Sequence, residues 1–146
     1  MIEPNLNHVG IVVRDLNRAM AALGANLGVA WAGVHEPVMQ VQEPSGEIRE
    51  ITLRIGVTAQ TPFLELIQAI PDSPWALPAG SELMQLHHIA YFVDDLAADS
   101  AAIAQPCPIE MSGVGAAGDI PRTFTYQVLE GLRFELLERR GTSLAG

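Results

Sequence analysis

His8, Glu65, His88 and Glu135 are the side chains whose types and spacing can do chemistry in this sequence. The histidines stand in matching contexts. Leu6–Leu16 (Leu-Asn-His-Val-Gly-Ile-Val-Val-Arg-Asp-Leu) is echoed by Leu86–Leu96 (Leu-His-His-Ile-Ala-Tyr-Phe-Val-Asp-Asp-Leu), so His88 falls on His8, Asp95 on Asp15 and Leu96 on Leu16. The acids match as well: Phe63-Leu64-Glu65-Leu66-Ile67 resembles Arg133-Phe134-Glu135-Leu136-Leu137. Each glutamate lies inside a short apolar strand, where burying a carboxylate is costly unless its charge is compensated. A duplication puts equivalent side chains in symmetry-related places, so the two histidines can face each other across one site. Two neutral imidazoles and two carboxylates around one divalent cation give a charge-neutral nitrogen and oxygen site.

A single strand histidine is more often a packed or surface residue than a ligand, and a single strand glutamate usually faces solvent. The repeat of both, at corresponding points, is what favours a metal site. His87 and His88 compete for the ligand role. The two-residue period of a strand puts them on opposite faces, and the repeat selects His88, because Asn7 is the counterpart of His87. His35 lies outside the repeat.

The elements that must position these groups follow from pattern. Leu6–Val13 is β-branched and apolar, a strand. Asp15 is placed to cap a helix whose stripe is Leu16, Met20, Leu23 and Leu27, ending near Gly24 and Gly28. Trp31–Val41 reads as a strand with Pro37 at an edge or bend, and Glu47–Val57 alternates as another. Pro62–Ile70 carries Glu65. The order then repeats: strand Leu86–Val93, helix Leu96–Ala104 capped by Asp95, a short strand Pro106–Met111, a glycine-rich loop Ser112–Ile120, strand Arg122–Leu129, and strand Leu132–Glu138 with Glu135. The expected class is α+β: two βαβββ modules at 1–70 and 86–140, a Pro-rich linker at 71–85, and a frayed tail at 141–146.

Composition narrows the partners. The chain has 146 residues, enough for one ordinary domain or two small modules sharing a core. The net charge of −9 repels polyanions, so nucleic acid is not an expected partner. The lone Cys107 can form no internal disulfide and fits a reducing compartment. No apolar run approaches a membrane span and the N-terminus shows no signal peptide, so a cytoplasmic protein is expected.

Asn7–Leu16, Phe63–Ile67, His87–Leu96 and Phe134-Glu135-Leu136 together resemble the vicinal oxygen chelate superfamily, the fold of glyoxalase I, methylmalonyl-CoA epimerase, extradiol dioxygenases and bleomycin- or fosfomycin-resistance proteins. Ser73-Pro74-Trp75 followed by Leu86-His87-His88-Ile89-Ala90 looks most like the epimerase branch. The resemblance implies modules that curl their sheets into a cup around a metal held by His8, Glu65, His88 and Glu135. Two stretches depart from many relatives: Met20-Ala21-Ala22-Leu23 lacks an aromatic pair, and Val128-Leu129-Glu130-Gly131 replaces an acidic turn.

Four ligands on an octahedral ion leave about two positions for substrate oxygens. The expected activity is an isomerase, epimerase or lyase reaction by proton transfer next to a metal-bound carbonyl, on a small substrate with adjacent oxygens. The resemblance puts Glu135 first as the proton-transfer base and Glu65 second, ahead of Glu47 and Glu50. The ion is Zn, Ni, Co, Mn, Fe or Mg. The alternatives are a metal-dependent dioxygenase and a non-catalytic protein that binds a small molecule or drug. Trp31, Trp75, Tyr91, Phe92, Phe124 and Tyr126 are candidates to line the cup. Arg14, Arg18, Arg49, Arg54 and Arg122 are the cations available for a phosphate. A homodimer is expected, since open sheet edges favour pairing.

Overall fold

The computed structural model describes residues 2–81, 83–115, 118, 120–121 and 123–139, so the tail at 141–146 and Arg122 lie outside the described residues. The first strand, β1 (Ile2–Val13), leads through Asp15 into helix α1 (Leu16–Leu27). The Asp15 carboxylate accepts from Arg18 N at 3.0 Å, and the helix ends where Gly28 takes φ 68°, a conformation that costs glycine nothing. Leu16, Ala19, Met20 and Leu23 pack on Val13 and Leu66. Leu27, the fourth residue of the expected stripe and the last of the helix, is instead 72% exposed.

The expected strand over Trp31–Val41 is two strands, β2 (Trp31–His35) and β3 (Val38–Gln42), parted at Glu36-Pro37. Proline has no N–H to give to a ladder. The alternating stretch after the turn likewise divides, into β4 (Ile48–Thr52) and β5 (Ile55–Thr58). The first half closes with β6 (Phe63–Gln68). The second half holds β7 (Met84–Val93), α2 (Leu96–Ala102), β8 (Ile109–Gly113), β9 (Phe124–Leu129) and β10 (Leu132–Glu138). Asp95 caps α2 as Asp15 caps α1, accepting from Ala98 N at 3.0 Å.

All ten strands form one sheet in the order β2-β5-β6-β1-β7-β10-β9-β8-β3-β4. The β3–β4 hairpin therefore leaves the strands of its own half and extends the other half through β8, with Val41 opposite Gly113 and Gln42 opposite Ser112. The sheet has to curl. Only Leu53 and Arg54 separate β4 from β5, a span of roughly 10 Å, whereas in a flat sheet these strands would stand eight spacings, about 38 Å, apart. Inside the curl, Val12, Val41, Ile51, Leu53, Val57, Ile67, Trp75, Met111, Phe124 and Tyr126 form one core. Trp75, expected in a linker, is wholly buried, and its Nε1–H donates to the Tyr126 hydroxyl at 3.2 Å. Among the described residues no helix is long and apolar enough to cross a membrane.

Candidate metal centre

Four adjacent strands of the sheet each contribute one of the expected residues: Glu65 from β6, His8 from β1, His88 from β7 and Glu135 from β10. Their registers interlock. Glu65 pairs with Gly10, and Gly10 with His88; Glu135 pairs with Ala90, and Ala90 with His8. Each row reads acid, small residue, imidazole, and the rows run in opposite directions about the β1–β7 pairing. The glycine is needed in its row. A Cβ on Gly10 would fall 2.0 Å from His88 Cε1.

His8, His88, Glu65 and Glu135 are all at most 7% exposed. His8 Nε2 and His88 Nε2 stand 2.8 Å apart, and Glu135 Oε2 lies 3.0 Å from the first and 3.1 Å from the second. Glu65 stands back, 3.8 Å from each imidazole. Glu135 Oε2 has no hydrogen-bond partner, despite its closeness to both nitrogens. The three atoms converge, each within 3.1 Å of the other two. Atoms about 2.1 Å from one cation and at right angles to each other are separated by roughly 3 Å, which the near-equilateral triangle matches. With Glu65 the set carries two negative charges and two neutral nitrogens, so a divalent ion suits it in charge, donor type and spacing.

Neighbours prepare the imidazoles for that role. The Asn7 Oδ1 atom lies 2.8 Å from His8 Nδ1. An amide oxygen only accepts, so Nδ1 carries the proton and Nε2 is bare. His87 is the surprise. The two-residue period puts it on the face away from His88, yet its Nδ1 lies 2.9 Å from His88 Nδ1 and its Nε2 lies 2.7 Å from Pro74 O. The pairing of β1 with β7 slips by one at His87, with Gly10 opposite His88 but Ile11 opposite Leu86. The slip removes the alternation, as a β-bulge does. The same pairing slips at Asn7, between Leu6 opposite Tyr91 and His8 opposite Ala90.

Electrostatics divide the two acids. Burial pushes Glu65 upward, beyond what the two imidazoles offset. Burial acts the same way on Glu135, but His88 and His8 outweigh it and hold its carboxyl at about 2. Burial disfavours charge on His8, yet Glu135 and Glu65 raise it overall, as expected where negative charge gathers. Burial, His88 and Arg133 together bring His87 down to about 3, so it is neutral.

A cap closes the centre. Trp75 stacks on His87 with ring centroids 6.4 Å apart, and Tyr126 sits 5.0 Å from His88. A cavity of about 140 Å³ lies beside the cap, with Pro74, Leu77, His87 and Arg133 in its wall. Arg133 Nη1 donates to His87 O at 3.1 Å, and its other nitrogens grip the Glu110 carboxylate. The other expected residues are elsewhere. Glu47, Glu50 and His35 are exposed. The Trp31 Nε1–H donates to Met20 O beside α1, and Tyr91 meets Phe134, so neither lines the centre. Trp75 was a candidate to line the cup and stacks on His87, whereas Asn7, Gly10 and Ala90 carried no functional expectation. The repeat held their signal, since Asn7 aligns with His87 and Gly10 with Ala90.

Comparison with known proteins agrees with this architecture. A hypothetical protein from Bacillus halodurans superimposes with a TM-score of 0.67 at 16% identity, covering 95% of this chain and 96% of that one. A Streptomyces coelicolor methylmalonyl-CoA epimerase, solved with 2-nitronate-propionyl-CoA, gives 0.62 at 18% identity, over 95% of this chain and 96% of that one. Methylmalonyl-CoA epimerase from Mycobacterium tuberculosis gives 0.59 at 21% identity, over 94% and 92%. At such identities the likeness is one of fold. No curated protein matches the sequence. Residues 7–121 match the Glyoxalase/Bleomycin resistance protein/Dioxygenase superfamily, and the chain belongs to it.

Proposed function

We propose that this chain is a divalent-metal-dependent isomerase, epimerase or lyase that moves a proton next to a carbonyl. The observation that carries the reading is the triangle of His8 Nε2, His88 Nε2 and Glu135 Oε2, with sides of 2.8, 3.0 and 3.1 Å. His8, His88 and Glu135 would hold the ion, and Glu65 completes the charge balance as the fourth ligand or its close neighbour. When bound, the ion supplies Lewis acidity that stabilises negative charge developing on a carbonyl oxygen.

The chain's own acids then take different parts. Glu135, held at about 2, stays ionised and anchors charge. Glu65 is the better proton carrier. Its pKa is raised by burial, and a base works best when its pKa approaches the working pH. This reverses the order expected from the resemblance, in which Glu135 came first. Pairs of acids whose surroundings push their pKa values apart commonly divide acid–base work this way. The buried cap of Trp75 and Tyr126 keeps water from a reactive carbanion. The substrate is a small molecule with two neighbouring oxygens, and the likeness to methylmalonyl-CoA epimerases supports an acyl thioester bearing a second carbonyl. A homodimer is part of the same reading.

The 3.8 Å stand-off of Glu65 also favours a second reading. Two histidines and one carboxylate on one face is the donor set of oxygen-activating ferrous enzymes. One experiment separates the two. Protein loaded in turn with Zn, Co, Ni, Mn, Mg or ferrous iron is incubated in D2O with α-substituted carbonyl compounds. Metal-dependent uptake of deuterium at the α-carbon, abolished by chelator, is the expected result. Absence of uptake with every ion overturns the reading, and oxygen consumption with ferrous iron alone supports the second.

A further inference from the structure

The candidate centre is shut. His8 and His88 are wholly buried, and Glu65 and Glu135 are at most 7% exposed, so a substrate reaches them only after something moves. The strands beneath are poor candidates. Each of β6, β1, β7 and β10 is paired on both sides, and pulling one out breaks two ladders at once. Tyr126 belongs to β9, which is also paired on both sides. Trp75 is different. It is wholly buried, yet it hangs from a segment, 71–81, that belongs to no strand or helix. That segment is fastened at a few points. Arg49 Nη1 donates to Asp72 O at 3.0 Å near one end, and Arg14 Nη2 donates to Ser81 O at 3.1 Å at the other. In the middle, His87 Nε2 lies 2.7 Å from Pro74 O, and the Trp75 indole is bonded to Tyr126. Between these points it spans a void: the cavity of about 140 Å³ is walled by Pro74, Leu77 and Pro78 of the segment and by Val12, His87 and Arg133 of the sheet. Asp72 (φ 56°) and Gly80 (φ 78°) take left-handed backbone at its two ends.

We propose that residues 71–81 form a lid, hinged near Asp72 and Gly80, with Trp75 as its plug, and that substrate enters through the cavity when the indole leaves its seat. Hinges of lids are loop or element-end positions that absorb a backbone rotation, as these two are placed to do. Withdrawal of the indole joins the void to the ring of Tyr126, which lies 5.0 Å from His88. Opening loses the Trp75 and Pro74 hydrogen bonds and one buried side chain, and leaves every ladder of the sheet intact. Such local openings occur far more often than unfolding of the whole molecule. Closure returns the indole and expels water from around the reacting group. The role as a substrate gate rests on the metal-centre reading; the opening itself does not.

The test uses the full-length chain, labelled with ¹⁵N, and native-state hydrogen exchange read by NMR. Two protons report the lid. The Trp75 Nε1–H is bonded to Tyr126, and the Ile70 amide is bonded to Trp75 O at 3.1 Å across the hinge at Asp72. Both should exchange at least about 100-fold faster than the slowest amides of β7. Arg49→Ala frees one end of the segment and Arg14→Ala the other. Each removes a hydrogen bond and should speed exchange of the Trp75 Nε1–H by about 3–10-fold, with the β7 amides unchanged. Stripping of bound Zn²⁺ by a chelator should speed up by the same factor. A Trp75 Nε1–H that exchanges no faster than β7 overturns the lid. Faster opening in the variants with unchanged stripping of Zn²⁺ overturns the gate. Wild-type protein that opens as described and binds no Zn²⁺ would sink the metal-centre reading and leave the lid standing.

Discussion

Gly10 lies beneath the ring of His88, so close that a methyl group on Gly10 would stand 2.0 Å from His88 Cε1 and 2.4 Å from Nδ1 and Nε2. The ring and the glycine are register partners across β1 and β7, each of which is paired on both sides within the sheet. Neither backbone can retreat without disturbing the pairing on its other side. Gly10→Ala should therefore displace the imidazole rather than the strands. Overpacking of this kind costs about 1–3 kcal/mol. Urea denaturation should show that loss, and Zn²⁺ or Co²⁺ binding should fall with it. Unchanged binding would show that the ring's position over Gly10 is not needed.

Metal holding and proton transfer should separate by mutation. His88→Ala removes a donor from the 3 Å triangle and Glu135→Gln replaces its anionic donor with a weaker neutral amide oxygen, and both should weaken binding by more than the roughly 10–100-fold that an outer partner costs. Glu65→Gln keeps an oxygen and removes the proton carrier. It should bind metal to within tenfold of wild type while α-proton exchange falls by about 10²–10⁴-fold. Calorimetry and deuterium exchange measure the two effects independently. If Glu135→Gln holds the ion but loses exchange, and Glu65→Gln loses the ion, the roles are reversed.

Trp75 joins the segment between the halves to the core. It is wholly buried and bonded to Tyr126. Trp75→Ala should cost about 3–5 kcal/mol, visible as a lower denaturation midpoint. Trp75→Phe retains most of the packing and forfeits the N–H bond, for a loss of about 0.5–1.5 kcal/mol. A near-neutral Trp75→Ala would mean that the segment floats rather than packs.

Acid should weaken the clamp behind His87. The hydrogen bonds from Arg133 hold the Glu110 carboxyl below its ordinary range. A carboxyl with a lowered folded pKa adds stability above its unfolded pKa, about 4.5, and that stability fades as pH falls through the lower folded value. Glu110→Gln should thus be less stable than wild type at pH 7, with the gap closing toward pH 3. Denaturation midpoints at both values check it. A gap that widens in acid would contradict the sign.

The sequence made the four central groups legible because duplication is visible in one dimension: His8 with His88, and Glu65 with Glu135, stand out once the halves are aligned. Helix caps were legible for a local reason, since Asp15 and Asp95 act on the third residue after them. His87 was not legible as a neighbour of His88, because alternation assumes an unbroken ladder and one slipped residue cancels it. Trp75 was legible as an aromatic for the cup, but not its anchor, since its indole is held by Tyr126, fifty-one positions away. The route of β3 and β4 was equally out of reach: their alternation is the same whichever edge they join.

That route makes the chain's two halves mutually dependent for their edges. The strand β8 is covered by β3, a piece of the other half, and the β3–β4 hairpin is tied to the rest of the sheet only there. Severed between the halves, one fragment would carry a homeless hairpin and the other a bare row of amide and carbonyl groups. The same hairpin reaching into a neighbouring molecule would satisfy both edges with identical contacts. Exchange of this sort is a low-cost path to a dimer, and here it would require only that the short stretches flanking β3 and β4 open outward.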